Sequence, residues 1–285
     1  MRLGLLLGGG GAVGIAWENG VLAGLVDAIG FEPAASTVIV GTSAGAVVGA
    51  DMALGKDPHD ALALDGDPST PHSGFEPPDF TQGILAEIIG LMMSGAMSTP
   101  EGAAEIGRLA VEAETAFTED DFVAMLRQSV GTDDWPDVDF RPTCMSCATA
   151  DLKAWTAADG IPLSRAVASS NAIPGFFPAI SFGEDHYVDG SRGPDPHTRI
   201  VKDLDLDAAM YIGPKIAAVE DANRRVLEDM RALAATGVRV HTILGSPRLD
   251  AAGLNLMDTT QRPLAFEIGL ADGADQAAAV SELLG

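Results

Sequence analysis

The sequence predicts an α/β fold with a mostly parallel central sheet, and three observations point to it. Apolar, strand-like runs alternate with helical segments along the whole chain. The opening residues read strand, helix, strand, helix, which makes the first two strands parallel neighbours with their C-terminal ends on one side. At 285 residues the chain can bury a full core, and no internal repeat, low-complexity tract or linker divides it. It therefore reads as one domain, residues 1–285, with a helical insertion over 57–130.

Residues 2–8 are a short buried strand, and 14–29 a helix carrying Val21, Leu22, Leu25 and Val26 at helical spacing. "STVIV" at 36–40 is a second, β-branched strand, followed by a tight turn and a helix that Gly55 ends. From 57 to 81, Pro, Asp, Ser, Thr and Gly mark an irregular loop. Helices follow to about 130: "ILAEIIGLMMSGAM" is apolar and Met-rich, and "TEDDFVAMLRQSV" opens with an N-cap threonine and an acidic first turn. Strands return in "RPTCMSCATADL", "AISFGEDHYVDG" and "DAAMYIG". An amphipathic helix at "ANRRVLEDMRALAATG", a strand at "VRVHTILG" and an Ala-rich helical tail complete the chain.

Forty-one acidic against seventeen basic residues give a net charge of −24, which repels nucleic-acid backbones and anionic lipid surfaces. Nucleic acid is not expected as a partner, and membrane contact is expected to be transient at most. No stretch keeps the ~18 uninterrupted apolar residues of a spanning helix. Cys144 and Cys147 are the only cysteines, so no disulfide framework exists and a reducing, cytoplasmic setting is expected. Their CxxC spacing lies in a predicted strand, where residues three apart face opposite ways, so the thiols read as inert and partly buried.

Three places can carry chemistry. Gly9, Gly11 and Gly14 form GxGxxG between a strand and a helix, where dinucleotide-binding folds hold a pyrophosphate. That use requires an acidic residue ending the second strand, and here the strand runs into Gly41, Thr42 and Ser43. A signal peptide is equally unsuited, because the glycines interrupt the apolar run too early. "GTSAG" at 41–45 is GxSxG between a strand and a helix, the setting of a nucleophile elbow, with Gly41 and Gly45 permitting close backbone approach around Ser43. Adjacent parallel strands would bring the amides of Gly9, Gly10, Gly11 and Ala12 beside Ser43, as donors to the oxyanion of an acyl intermediate.

A serine needs a base. His59 and His72 lie in the polar loop, His241 in a strand, and His186 three positions before Asp189, whereas His197 in "GPDPHTR" is placed to swing back. Asp189 closes a strand before Gly190, where α/β sites collect, although Asp-Gly is also a common turn pair.

In "GGGGAVG", "GTSAG", "YVDGS" and "AVASSNAIPGFFPAI" the chain resembles the patatin-like phospholipase family over roughly residues 2–195. The resemblance implies a three-layer α/β/α fold and a Ser43–Asp189 dyad with Gly9, Gly10, Gly11 and Ala12 as the oxyanion hole. Gly14, Gly41, Gly45 and Gly190 would support those motifs. It implies an acyl-lipid substrate, a (lyso)phospholipid or related ester, and no catalytic histidine, metal or cofactor. The family usually carries Arg or Lys where Val13 stands and Gly or Ala where Ser191 stands. A decayed binding protein and a small-ester esterase or thioesterase are the alternatives these departures keep open. The insertion is expected to cover the site, with Met92, Met93 and Met97 as an adaptable apolar surface or as plain core.

Overall fold

The computed structural model describes residues 1–62, 82–191, 197–214 and 220–285. In chain order the elements are β1 (Leu3–Leu7), α1 (Gly11–Ile29), β2 (Val38–Thr42), α2 (Ala44–Ala53), α3 (Gly83–Met93), α4 (Pro100–Glu112), α5 (Glu119–Val130) and β3 (Asp139–Ser146). There follow β4 (Leu152–Ala154), α6 (Leu163–Asn171), β5 (Ile180–Phe182), β6 (Asp185–Asp189) and β7 (Ala208–Gly213). The last elements are α7 (Glu220–Ala234), β8 (Arg239–Leu244), α8 (Pro247–Ala252) and α9 (Arg262–Leu284). The fold is α/β, with mixed strands flanked by helices, and the chain forms two compact units.

The first unit contains Met1–Thr70, Pro136–Arg141 and Pro196–Gly285. Its strands are all parallel. β1 pairs with β2 (Leu7 opposite Gly41) and with β7 (Leu7 opposite Ile212), and β7 pairs with β8. All five residues of β1 are buried, as a strand flanked on both edges and covered on both faces requires. α1 begins at Gly11, three residues earlier than its apolar spacing suggests, because the Gly14 amide already donates to the Gly10 carbonyl (2.8 Å).

α1 lies against α9 at backbone contact. A Cβ on Gly20 would fall 2.3 Å from the Phe266 carbonyl oxygen, one on Gly24 2.3 Å from that of Leu270, and one on Gly273 2.2 Å from that of Val21. Buried Trp17 donates Nε1–H to Asp272 (2.9 Å), which also accepts from Arg248 (2.9 Å), tying the two helices where no side chain fits between them. α1 is the one described helix long and apolar enough to cross a membrane, and 67% of its apolar window is buried, as in a core helix.

The second unit contains Pro71–Trp135 and Pro142–Asp195. Here pairing is antiparallel: β3 with β4 and with β6, and β5 with β6. Thr118 caps α5 by accepting from the Asp121 amide (3.2 Å), ahead of Glu119, Asp120 and Asp121 in the first turn. Ile88, Met97, Ile106 and Leu109 pack with Met145 and Val188 in one core cluster, so Met97 is core, while Met92 is partly buried against it and Met93 is 74% exposed.

"RPTCMSCATADL" is two strands. β3 ends at Ser146, and Ala150, at φ 59, turns the chain into β4. Cys147 thus lies past the strand end, and both thiols are buried and pushed up to about 12 by desolvation. Neither is a thiolate at neutral pH. Among the described residues no group of three His, Cys, Asp or Glu is disposed to hold a metal.

Candidate active site

In the first unit the glycine loop and the serine turn meet at the C-terminal ends of β1 and β2. The Gly45 amide donates to the Gly8 carbonyl (2.8 Å), which closes the two turns on each other. A Cβ on Gly45 would stand 2.4 Å from the Leu7 carbonyl carbon and oxygen, and one on Gly41 2.2 Å from the Gly45 oxygen. Both neighbours are backbone and cannot swing away, so any side chain there would force the corner open.

Ser43 stands at the apex of that corner with φ 55 and ψ −120. A β-carbon makes this conformation costly, on the order of 1–3 kcal/mol, and it persists only where the surroundings impose it. Ser43 is one of two described non-glycine residues at positive φ. It is 6% exposed, and although it precedes α2 its hydroxyl does not cap the helix. The strained turn thus presents Oγ at a helix N-terminus, where the peptide dipoles favour negative charge.

Around the glycine loop the amide accounting is specific. The Gly8 amide donates to Ile212 (2.9 Å), that of Val13 to Leu256 (3.1 Å) and that of Gly14 to Gly10 (2.8 Å). Those of Gly9, Gly10, Gly11 and Ala12 have no acceptor among the described residues. Gly10 lies close to Pro214, 2.4 Å from where its Cβ would be, so the loop is wedged between the β2–α2 corner and the end of β7. Gly11 adopts φ 59, a conformation that favours glycine. Val13 is fully buried, so a charged side chain there would have to be desolvated.

In the second unit Asp189 ends β6, paired with Cys144 on β3 and 3% exposed. Its own amide donates to the Ala172 carbonyl (2.9 Å), and its Oδ1 accepts from the Ser191 amide (2.8 Å). The departure at Ser191 therefore acts on the aspartate through a backbone N–H that any residue supplies. A Cβ on Gly190 would meet Cys144 backbone atoms at 3.1 Å, tight enough to favour glycine.

The rings of His59 and His241 are engaged elsewhere. His59 bonds Asp57 (2.7 Å) and Asp27 (3.3 Å), and the Asp57 bond raises its pKa. His241 Nε2 lies 3.0 Å from Gln276 Oε1, and His186 is half-buried on β6 with its ring on the face opposite that of Asp189. His72 lies outside the described residues, as does the side chain of His197.

Two further features had no sequence signal strong enough to single them out. Glu18, on α1, is fully buried with both carboxylate oxygens unpartnered, and burial pushes its carboxyl well above the ordinary range. A charged residue inside the apolar "IAWENGVLAG" was the available clue. The Leu256 carbonyl that takes the Val13 amide had none, because any residue provides a carbonyl.

Comparison with known proteins agrees with this geometry. The family model for patatin-like phospholipase matches residues 5–197. VipD from Legionella pneumophila is similar in structure, with a TM-score of 0.53 at 14% identity over 99% of this chain and 66% of that one. The type III effector protein ExoU aligns at 18% identity over 98% of this chain and 53% of its own length, with a TM-score of 0.44. ExoU in its heterodimeric complex with SpcU, from the type III secretion system of Pseudomonas aeruginosa, aligns at 16% identity over 100% of this chain and 52% of that one, TM-score 0.43. The chain thus spans less than two thirds of the solved chains it matches. No curated protein matches it in sequence. With the family model covering more than half its length, and with the fold, elbow and glycine loop that its geometry provides, the chain belongs to the patatin-like phospholipase family.

Proposed function

We infer that the protein is a serine-dependent lipid acyl hydrolase that cleaves carboxylic esters of (lyso)phospholipids or related acyl lipids. One observation carries this: Ser43 at φ 55, ψ −120 on a strand-to-helix corner closed against a glycine loop. Strain of that kind has no packing purpose at a turn that glycine would occupy without penalty.

In this mechanism Asp189 takes the Ser43 hydroxyl proton as Oγ attacks the ester carbonyl. The oxyanion accepts from amides of Gly9, Gly10, Gly11 and Ala12, donors of a kind that each lower the barrier by about 3 kcal/mol. Asp189 then returns the proton to the leaving alcohol, and water enters by the same route in reverse to release the acyl group. Because the hole is backbone, Val13 in place of a basic residue leaves it intact and removes only a charge, which favours uncharged esters over anionic headgroups. The net charge of −24 keeps membrane contact transient and suits a cytoplasmic protein with two buried, reduced thiols.

Hydrolysis of p-nitrophenyl butyrate tests the proposal. Ser43→Ala and Asp189→Asn should each lower kcat by at least about a thousandfold with the fold retained. Wild-type rates in Ser43→Ala would end it, and wild-type rates in Asp189→Asn alone would remove the aspartate and return attention to His197.

A further inference from the structure

The matched family region ends at residue 197, yet the loop between α8 and α9 reaches the glycine turn. The Leu256 carbonyl accepts the Val13 amide (3.1 Å), and a Cβ on Gly11 would lie 2.6 Å from that carbonyl oxygen and 3.0 Å from Met257 Sδ. The loop is tied to itself: Asn255 N–H donates to Gln261 Oε1 (2.7 Å), Met257 N–H to Asn255 Oδ1 (3.2 Å), and Thr260 N–H and Oγ to Asp258 Oδ1 (3.0 and 2.6 Å). Met257 is nevertheless 41% exposed, a large apolar side chain left in solvent beside an otherwise polar rim of amides.

On this geometry we propose that Met257 is a specificity-determining residue of the acyl hydrolase site, its thioether side chain seating the first methylenes of the substrate acyl chain. The inference rests on the acyl hydrolase reading above. An oxyanion held by the Gly11 amide sits about 3 Å from that nitrogen, with the carbonyl carbon one bond further. Met257 Sδ lies close to the Gly11 Cα on the same turn, so groups two or three bonds along from the carbonyl come into van der Waals range of it. The acyl chain is the apolar one of the two substituents, and an unbranched, polarisable side chain suits chains of varied length. The Leu256 bond to Val13 has a complementary effect, since it removes the Val13 amide from the donor set while the Gly11 amide, on the residue beside Met257 Sδ, stays in it.

The test compares p-nitrophenyl butyrate with p-nitrophenyl acetate, which lacks the carbons two and three bonds from the carbonyl, in wild type, Met257→Ala and Met257→Leu, with fluorophosphonate labelling of Ser43 run alongside. The ratio of kcat/KM for butyrate over acetate should fall about tenfold in Met257→Ala, the worth of roughly two buried carbons, mainly through KM. It should stay within about twofold in Met257→Leu, which restores the apolar volume. Labelling with an unchanged ratio in Met257→Ala overturns this inference and leaves the hydrolase reading standing, as does a leucine variant that falls as far as alanine. Wild type that neither labels nor hydrolyses overturns both.

Discussion

Replacing Glu18 with glutamine is the perturbation whose size and sign follow most directly from the structure. Glu18 is 0% exposed, and neither of its oxygens has a hydrogen-bond partner, so the native protein holds this carboxyl protonated well above its ordinary value of 4.5. Below that value both folded and unfolded chains carry the proton, and no stability is lost. Above it the unfolded chain releases the proton while the native chain keeps it, so stability falls as pH rises, until the raised native pKa is passed. The slope inside that window is at most about 1.4 kcal/mol per pH unit. Glu18→Gln has nearly the same shape and no proton to lose, so its advantage over wild type should grow with pH by that slope. Urea unfolding of both proteins from pH 5 to 8 reads the difference directly, because every other titrating group is common to the two. A difference that stays flat with pH would refute the account of Glu18 as a buried, neutral acid.

Three other stability effects follow from local geometry. Gly24→Ala places a Cβ 2.3 Å from the Leu270 carbonyl oxygen, so parting α1 from α9 should cost about 1–3 kcal/mol. Gly90→Ala on α3, where a Cβ meets nothing within 4 Å, should instead stabilise by about 0.5–1 kcal/mol; thermal melts giving both substitutions the same sign would contradict this. Thr118→Ala removes the cap on the Asp121 amide and should cost about 1 kcal/mol by urea unfolding, with Thr118→Ser restoring most of it.

Much of the fold was legible because local chemistry and tertiary context agree in it. Leu3–Leu7 is apolar enough to be only a buried strand, Gly55 ends its helix at φ 74, and Thr118 caps α5 as its sequence indicates. Boundaries moved where pairing overrides composition. β2 runs two residues beyond its β-branched core, to Thr42, because Gly41 pairs with Leu7. The turn splitting β3 from β4 hinges on Ala150 in a left-handed conformation, for which alanine gives no signal. At the site, the two glycine-bearing turns were readable because close backbone approach demands glycine. The bond from Val13 to Leu256 was not, since it joins a backbone amide to a carbonyl 243 residues away in sequence, 256 − 13. Val13 itself changed in meaning: sequence marks it as a missing charge, while the structure makes it a core residue whose amide is held.

The central claim is that the strained corner at Ser43 presents an activated nucleophile. Reaction with a fluorophosphonate probe, followed by mass spectrometry of the labelled peptide, addresses it most directly. The account predicts one phosphonyl group per chain on Ser43, with labelling slowed by at least about a hundredfold in Asp189→Asn. Folded protein that remains unlabelled, or that takes the probe on another residue, would contradict it.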